Sequence, residues 1–243
     1  MNAPSPPLRC AVFGASGGIG RALAETLAAR GDVGEVHAGS RGGQAPCGGK
    51  LHPFAFDLTD EASIAEACAR IGGPLDLVLI ATGRLTRMDG TGPEKSYRAL
   101  SGDGMAELFA VNTIGPALIA KHVLPLLRRD GRAVFAAISA RVGSIADNQL
   151  GGWHAYRMSK AALNMLVKNL ALELARTHPQ AVAVTLHPGT VDTALSAPFQ
   201  RGVAEGKLFT PAFSAEALLG VLDGLTPADS GALFAWDGAR VPF

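Results

Sequence analysis

Short apolar runs alternate with amphipathic stretches along the whole of this chain, and that alternation restricts its fold more than any other feature of the sequence. The spacing predicts strands over 9–13, 33–39, 51–56, 75–81, 132–138, 181–186 and 231–235. Helices are expected over 18–30, from Thr59 onward, and over about 103–129, 154–176 and 214–223. Gly31 would stop the first helix as a left-handed cap. Thr59, followed by Asp60 and Glu61, offers a capping residue with acidic charge in the first turn. Strands that are apolar at successive positions, rather than at every second one, are buried on both faces. Right-handed crossovers then place helices on both sides, so the fold class is α/β, a doubly wound parallel sheet. No linker-like change of composition divides the chain, which reads as one domain over 9–243 behind a flexible arm, 1–8. Its irregular parts are loops 41–50, 84–101 and 190–213.

Composition excludes several classes of function. The 22 Lys and Arg nearly cancel the 21 Asp and Glu, which removes the broad basic field that nucleic acids and anionic membranes require. No apolar stretch reaches the length of a membrane span and no signal peptide opens the chain. Three cysteines, Cys10, Cys47 and Cys68, are an odd number without metal-type spacing, which suits a reduced, cytoplasmic protein. Six histidines form no HExxH-like pair, so no metal is expected. The 30 glycines exceed an ordinary share of about 7% and direct attention to backbone that a ligand must approach closely.

One such place follows the first strand. Gly14-Ala15-Ser16-Gly17-Gly18-Ile19-Gly20 runs straight into a helix, so exposed N–H groups at a helix N-terminus can receive a pyrophosphate. At the end of the second strand an acid would bind the ribose hydroxyls of NAD, whereas a base suits the 2′-phosphate of NADP. Ser40 and Arg41 stand there with no acid, favouring NADP(H) over NAD(H). Asp57-Leu58, ending the third strand, could meet an adenine edge, or Asp57 could simply cap the next helix.

A second signal is Tyr156 with Lys160, four residues apart and so on one helical face. The pair opens the helix after the fifth strand, beside the strand ends where open α/β sheets bind ligands. A phenol titrates near pH 10; a cation about 5 Å away, at an effective dielectric near 20, would lower that by about two units and make Tyr156 a usable acid–base. Loop 194–212 is long and partly apolar, with Phe199, Leu208 and Phe209 as candidate contacts. It suits closure over a neutral substrate. Trp153 and His154 either line the substrate mouth or pack, and His187 reads as a satisfied core or turn histidine.

The Gly14/Gly18/Gly20 loop, Asn112 in FAVNTIGP, Tyr156 with Lys160, and His187-Pro188-Gly189-Thr190-Val191-Asp192-Thr193 occur in the order found in short-chain dehydrogenases/reductases, which the chain resembles from residue 9 onward. SARVGSIADNQLGGWHAYRMSKAALN, HPGTVDTALSAPFQ and FAWDGARVPF are similar to the C-factor-like and sniffer-like carbonyl reductase branch. The resemblance implies a Rossmann-type domain that transfers hydride between NADP(H) and a carbonyl or alcohol substrate, with a homo-oligomer interface along helix 154–176. It implies that Tyr156 exchanges the proton and that Lys160 also holds the nicotinamide ribose. Asn112 would fix a relay water, and Ser139, with Ser144 as the alternative, would orient the carbonyl. Gly14, Ser16, Gly18, Ile19, Gly20, Ser40, Arg41, Asp57, Leu58, Ala81, Gly83, Pro188, Gly189, Val191 and Thr193 would line the cofactor. Three residues depart from the family pattern. Ala140 stands where the second serine is usual, Ile80-Ala81-Thr82-Gly83 replaces Asn-Asn-Ala-Gly, and Phe13 precedes the first glycine. The alternative function is nucleotide-binding regulation or cell signalling with little turnover.

Overall fold

The computed structural model describes residues 6–243. Seven strands run in parallel: β1 (Leu8–Phe13), β2 (Val33–Ser40), β3 (Leu51–Ala55), β4 (Leu77–Ile80), β5 (Ala133–Ile138), β6 (Ala181–His187) and, after the short β7 (Thr190–Val191) and β8 (Leu208–Phe209), β9 (Leu233–Ala235). An antiparallel β10 (Arg240–Val241) closes one edge, giving the order β3-β2-β1-β4-β5-β6-β9-β10. The strand order reverses between β1 and β4, and a crevice opens beyond the carboxyl ends there. The helices are α1 (Gly18–Ala29), α2 (Glu61–Ile71), α3 (Gly102–Phe109), α4 (Gly115–Val123), α5 (His154–Leu174) and α6 (Pro211–Gly224).

β1 shows why its sequence does not alternate. Cys10 and Val12 pack with Leu23 and Leu27 of α1 and Leu218 and Leu222 of α6. Ala11 and Phe13 pack on the opposite side with Ile64 of α2, Ile119 of α4 and Leu163 of α5. Both faces are core, and each fully buried leucine contributes about 1.5–3 kcal/mol. The sheet thus fixes the carboxyl ends of β1, β4, β5 and β6 as a rigid floor for the site.

Several boundaries correct the sequence reading. Leu8, placed in the flexible arm, already pairs with Val33; residues 1–5 of that arm lie outside the described residues. Gly31 is not a left-handed cap, since α1 ends at Ala29 and Arg30 is extended. Asp60, not Thr59, caps α2: its Oδ1 accepts from the Ala62 N–H at 2.9 Å, while Thr59 is held by Asp57. The single helix expected over 103–129 is broken. A π turn over Ala110–Ile114 separates α3 from α4, and the Gly115 N–H donates to the Ala110 carbonyl. Gly115 also sits against Leu58 so closely that a Cβ would overlap it. Taken as one run, Gly102–Leu126 spans 25 residues and holds a stretch of mean hydropathy 1.2, long and apolar enough by length and composition for a membrane span, contrary to the expectation that none came close. Ile119, Ala120 and Val123 spend part of that apolar surface on the core. Within the 190–213 loop, β7 and β8 form a small parallel pair that the sequence did not signal.

Candidate functional site

The glycine turn between β1 and α1 is built for close approach. Gly14 has φ of 96°, a conformation that side chains avoid. A Cβ on Gly18 would lie 2.6 Å from Thr193 Cγ2, and one on Gly20 would overlap the Gly14 carbonyl oxygen. These contacts draw the N-terminus of α1 down onto the strand ends and close to the 190–193 segment. The Gly17 cap supplies no side chain, so the N–H groups of the first turn stay available to a ligand.

A groove of about 420 Å³ runs past this turn, lined by Gly14, Ser16, Gly17, Ser40, Arg41, Leu58 and Arg84 among others. It shares Ala81, Thr82 and Gly83 with an adjoining cleft of about 260 Å³. Ile19, Ser139, Ala140, Trp153, Tyr156, Lys160, Pro188, Gly189, Val191 and Thr193 line that cleft. Ser40 Oγ and Thr82 Oγ1 are buried in these walls with no partner among the described residues. Buried hydroxyls are normally satisfied, so the orphans, the glycine cradle and Arg41 at the far end fit an extended, phosphate-bearing ligand such as a dinucleotide. Asp57 is turned to local work instead. Its Oδ1 accepts from the Thr59 N–H and hydroxyl at 2.8 and 2.7 Å, and these two bonds, with a smaller contribution from nearby Arg41, hold its carboxyl below the usual range. Among the described residues no cluster of His, Cys, Asp or Glu is arranged to hold a metal ion.

Tyr156 and Lys160 occupy the first turns of α5, 8% and 3% exposed. Lys160 Nζ donates to the Ile138 carbonyl at 2.9 Å and lies 5.9 Å from the Tyr156 ring centre. Burial pushes the lysine down to about 8. It pushes the phenol up, the opposite of the lowering expected from the sequence. The phenol is therefore protonated at neutral pH. Gly83 leaves room beside the pair, because a Cβ there would come within 3.3 Å of both Lys160 Nζ and Asn112 Oδ1.

Asn112 lies in the π turn, fully buried. Its Oδ1 accepts from the Arg84 N–H at 2.8 Å, and its amide donates to the Arg84 carbonyl at 2.8 Å and to Ser159 Oγ at 3.0 Å. Ser159 in turn donates to the Tyr156 carbonyl at 2.8 Å, so the amide locks β4's exit onto the first turn of α5. Ser139 is reached by the cleft, but its hydroxyl donates to Asn164 Oδ1 at 2.8 Å. Ser144 Oγ is buried and accepts from the Asp147 N–H at 3.0 Å. Ala140, next to Ser139, packs with the group containing Tyr156.

His187, expected to be satisfied, has an Nδ1 with no partner among the described residues. Burial, with Arg141 nearby, lowers its pKa to about 4. Of the three apolar loop candidates, Phe199 lines the cleft, whereas Leu208 and Phe209 form β8, and Phe209 meets Trp236 edge-on at 4.6 Å. Sequence reasoning missed Ser159 and Asn164, whose spacing from Tyr156 is ordinary for a core-facing helix. It also missed Glu94, Arg84 and the Thr82 hydroxyl, which carried no signal beyond their proximity to known motifs.

The fold and these clefts define a Rossmann-type α/β protein with a dinucleotide-sized groove leading to a buried tyrosine–lysine pair. The chain belongs to the short-chain dehydrogenase family of oxidoreductases: the family model described as short chain dehydrogenase matches residues 9–203. It is 33% identical over 230 residues to the 1-hydroxy-2-glutathionyl-2-methyl-3-butene dehydrogenase of Rhodococcus sp. (strain AD45), covering 93% of this chain and 96% of that one. It is 40% identical over 140 residues to the C-signal of Myxococcus xanthus, covering 57% of this chain and 78% of that one. The NADPH-bound carbonyl reductase from chicken fatty liver superposes with a TM-score of 0.84 at 26% identity, covering 98% of this chain and 96% of that one. The likeness to C-signal sets the chain beside the C-factor-like members of the family.

Proposed function

We propose that this protein is an NADP(H)-dependent carbonyl reductase or alcohol dehydrogenase acting on a neutral small molecule, with Tyr156 as its acid–base. The observation that carries this is the burial of Tyr156 and Lys160 together in a cleft continuous with the glycine-cradled groove. When bound, the nicotinamide supplies or takes up a hydride at the carbonyl carbon. Tyr156, kept protonated by burial, gives its proton to the carbonyl oxygen and recovers it in the reverse direction. Lys160 supplies positive charge beside the phenolate as it forms. Both Asn112 amide hydrogens are already committed, so a relay water would be held through a carbonyl loosened by the π turn. Gly14, Ser16, Gly18, Ile19 and Gly20 would meet the pyrophosphate side, and Ser40, Arg41 and Leu58 the adenosine side. Ala81, Gly83, Pro188, Gly189, Val191 and Thr193 would form the nicotinamide wall. The NADPH-bound carbonyl reductase that superposes on the chain and the Ser40-Arg41 pair support the phosphorylated cofactor.

The test is turnover of a panel of aldehydes, ketones, diones and quinones with NADPH and with NADH. Tyr156→Phe should lower kcat by at least about 10²-fold, the usual contribution of a positioned acid. Arg41→Ala should raise the Kd of NADPH about ten-fold and leave that of NADH nearly unchanged. Absence of turnover with either cofactor, alongside tight NADPH binding, would instead favour a regulatory or signalling role. The commitment of Ser139 to Asn164 and the likeness to C-signal speak for that second reading.

A homo-oligomer is part of the same proposal. On α5, Leu163, Val167, Ala171 and Leu174 enter the core, while Met158, Met165 and Leu172 stand 40%, 62% and 56% exposed at seven-residue spacing. A second copy of this stripe is its natural cover. Sedimentation should show a dimer that Met165→Glu with Leu172→Glu converts to monomer; a monomeric wild type would refute it.

A further inference from the structure

The residues leading into α5 wind in the left-handed sense. Gly151, Gly152 and Trp153 have φ of 63°, 65° and 50°, and Trp153 is alone among the described non-glycine residues in having positive φ. A bulky side chain there costs on the order of 1 kcal/mol or more, and such strain persists only where its surroundings impose it. Glu94, in loop 84–101, imposes it. Its carbonyl accepts from the Trp153 N–H at 2.5 Å, and its Oε2 accepts from the Ala155 N–H at 3.2 Å, capping a helix whose own cap residue offers no side-chain bond.

The strained curl aims the indole at the cleft. Trp153 meets Tyr156 edge-on at 6.4 Å and 68°, and Phe199 at 5.3 Å and 62°. Three aromatic rings therefore gather at the proton-donating end, backed by Leu85, Val142 and Val203. The cations of the lining are engaged elsewhere: Lys160 with the Ile138 carbonyl, and the half-exposed Arg141 with Asp147 at 3.8 Å. An apolar wall with aromatic edges favours a flat π face over a saturated ring of equal size.

We infer that Trp153, held in place by Glu94, and Phe199 packed against it form an aromatic corner that selects neutral aryl aldehydes and ketones over their saturated counterparts. This inference rests on the carbonyl-reducing reading of the site and narrows its substrate class.

The experiment compares benzaldehyde with cyclohexanecarbaldehyde, in NADPH-dependent turnover, for wild type, Trp153→Leu, Trp153→Phe and Phe199→Leu. The ratio of the two kcat/KM values cancels intrinsic reactivity when variants are compared. It should fall about five-fold in W153L and in F199L, roughly one aromatic pair each, and stay within about two-fold in W153F. F199L lies on the outer loop and keeps the question answerable should W153L fold poorly. A parallel binding arm titrates acetophenone and cyclohexyl methyl ketone by ligand-observed NMR. Tighter acetophenone binding in wild type, lost in F199L, supports the corner even where neither aldehyde is reduced, in which case the carbonyl-reducing reading alone fails. Turnover with a ratio that no variant moves, or equal affinity for the two ketones, overturns the corner and leaves that reading intact.

Discussion

Ala140 is the residue whose chemistry most limits the proposed reaction. A carbonyl oxygen that gains negative charge in the transition state is best met by more than one donor. Here Tyr156 provides one, while the adjacent Ser139 hydroxyl is spent on Asn164 Oδ1 inside the protein. The Ala140 methyl faces the Tyr156 group instead. Restoring a hydroxyl with Ala140→Ser should raise kcat for a carbonyl substrate about five- to ten-fold with little change in NADPH affinity; unchanged kcat would mean that this position does not face the reacting oxygen. The departure was visible in Ser139-Ala140 as a string of letters. That Ser139 turns inward was not, because its partner Asn164 comes from α5, 25 residues away. That Tyr156 and Lys160 share one face of α5 beside the strand ends followed from their spacing and position, but the direction of the phenol's shift did not, since it depends on how completely tertiary packing removes water.

Among the elements, the glycine turn and the helix after it illustrate which glycines the fold requires. Gly20 has no room for a methyl group, because the Gly14 carbonyl oxygen occupies the place, whereas a Cβ on Gly31 would meet nothing within 4 Å and its φ is not left-handed. Gly20→Ala should therefore cost about 2 kcal/mol or more of stability and abolish NADPH binding. Gly31→Ala should stabilise by about 0.4–1 kcal/mol, by restricting the unfolded chain. Urea unfolding of both variants checks this; destabilisation by G31A would restore the left-handed cap that its sequence position suggests. The central parallel strands were readable because burial on both faces leaves an apolar run, and the edge strand β3, only partly buried, was readable from the apolar residues that flank its exposed ones. The π turn was not, since Ala110–Ile114 has ordinary helical composition and the partners of Asn112 within it, the backbone of Arg84 and the hydroxyl of Ser159, lie far away in sequence. The two-residue strands β7 and β8 were too short to give any periodicity.

For the molecule as a whole, the near balance of charge conceals a dependence on pH set by imidazoles that are buried or partly buried. His187, at the end of β6, has a pKa of about 4 in the folded chain against an ordinary value near 6.5, because burial and then Arg141 oppose its charge. His37 and His178 are lowered too, again chiefly by burial. A group whose pKa is depressed on folding stays neutral in the native state while the unfolded chain takes up a proton. Its contribution is therefore present above about pH 6.5 and is lost as pH falls toward the folded value. For His187 this amounts to about 2 kcal/mol between pH 7 and pH 5. Asp32 and Glu35, held low in the folded chain by Arg30 and Arg9, lose their contribution only below the ordinary carboxylate range near pH 4, so the higher window belongs to the histidines. Urea unfolding at pH 7 and pH 5 should show wild type losing about 2 kcal/mol more than His187→Gln, whose side chain cannot titrate. Equal losses in the two proteins would mean that His187 accepts a proton in the folded state without penalty, and hence that water or a ligand group reaches the Nδ1 that the protein leaves without a partner.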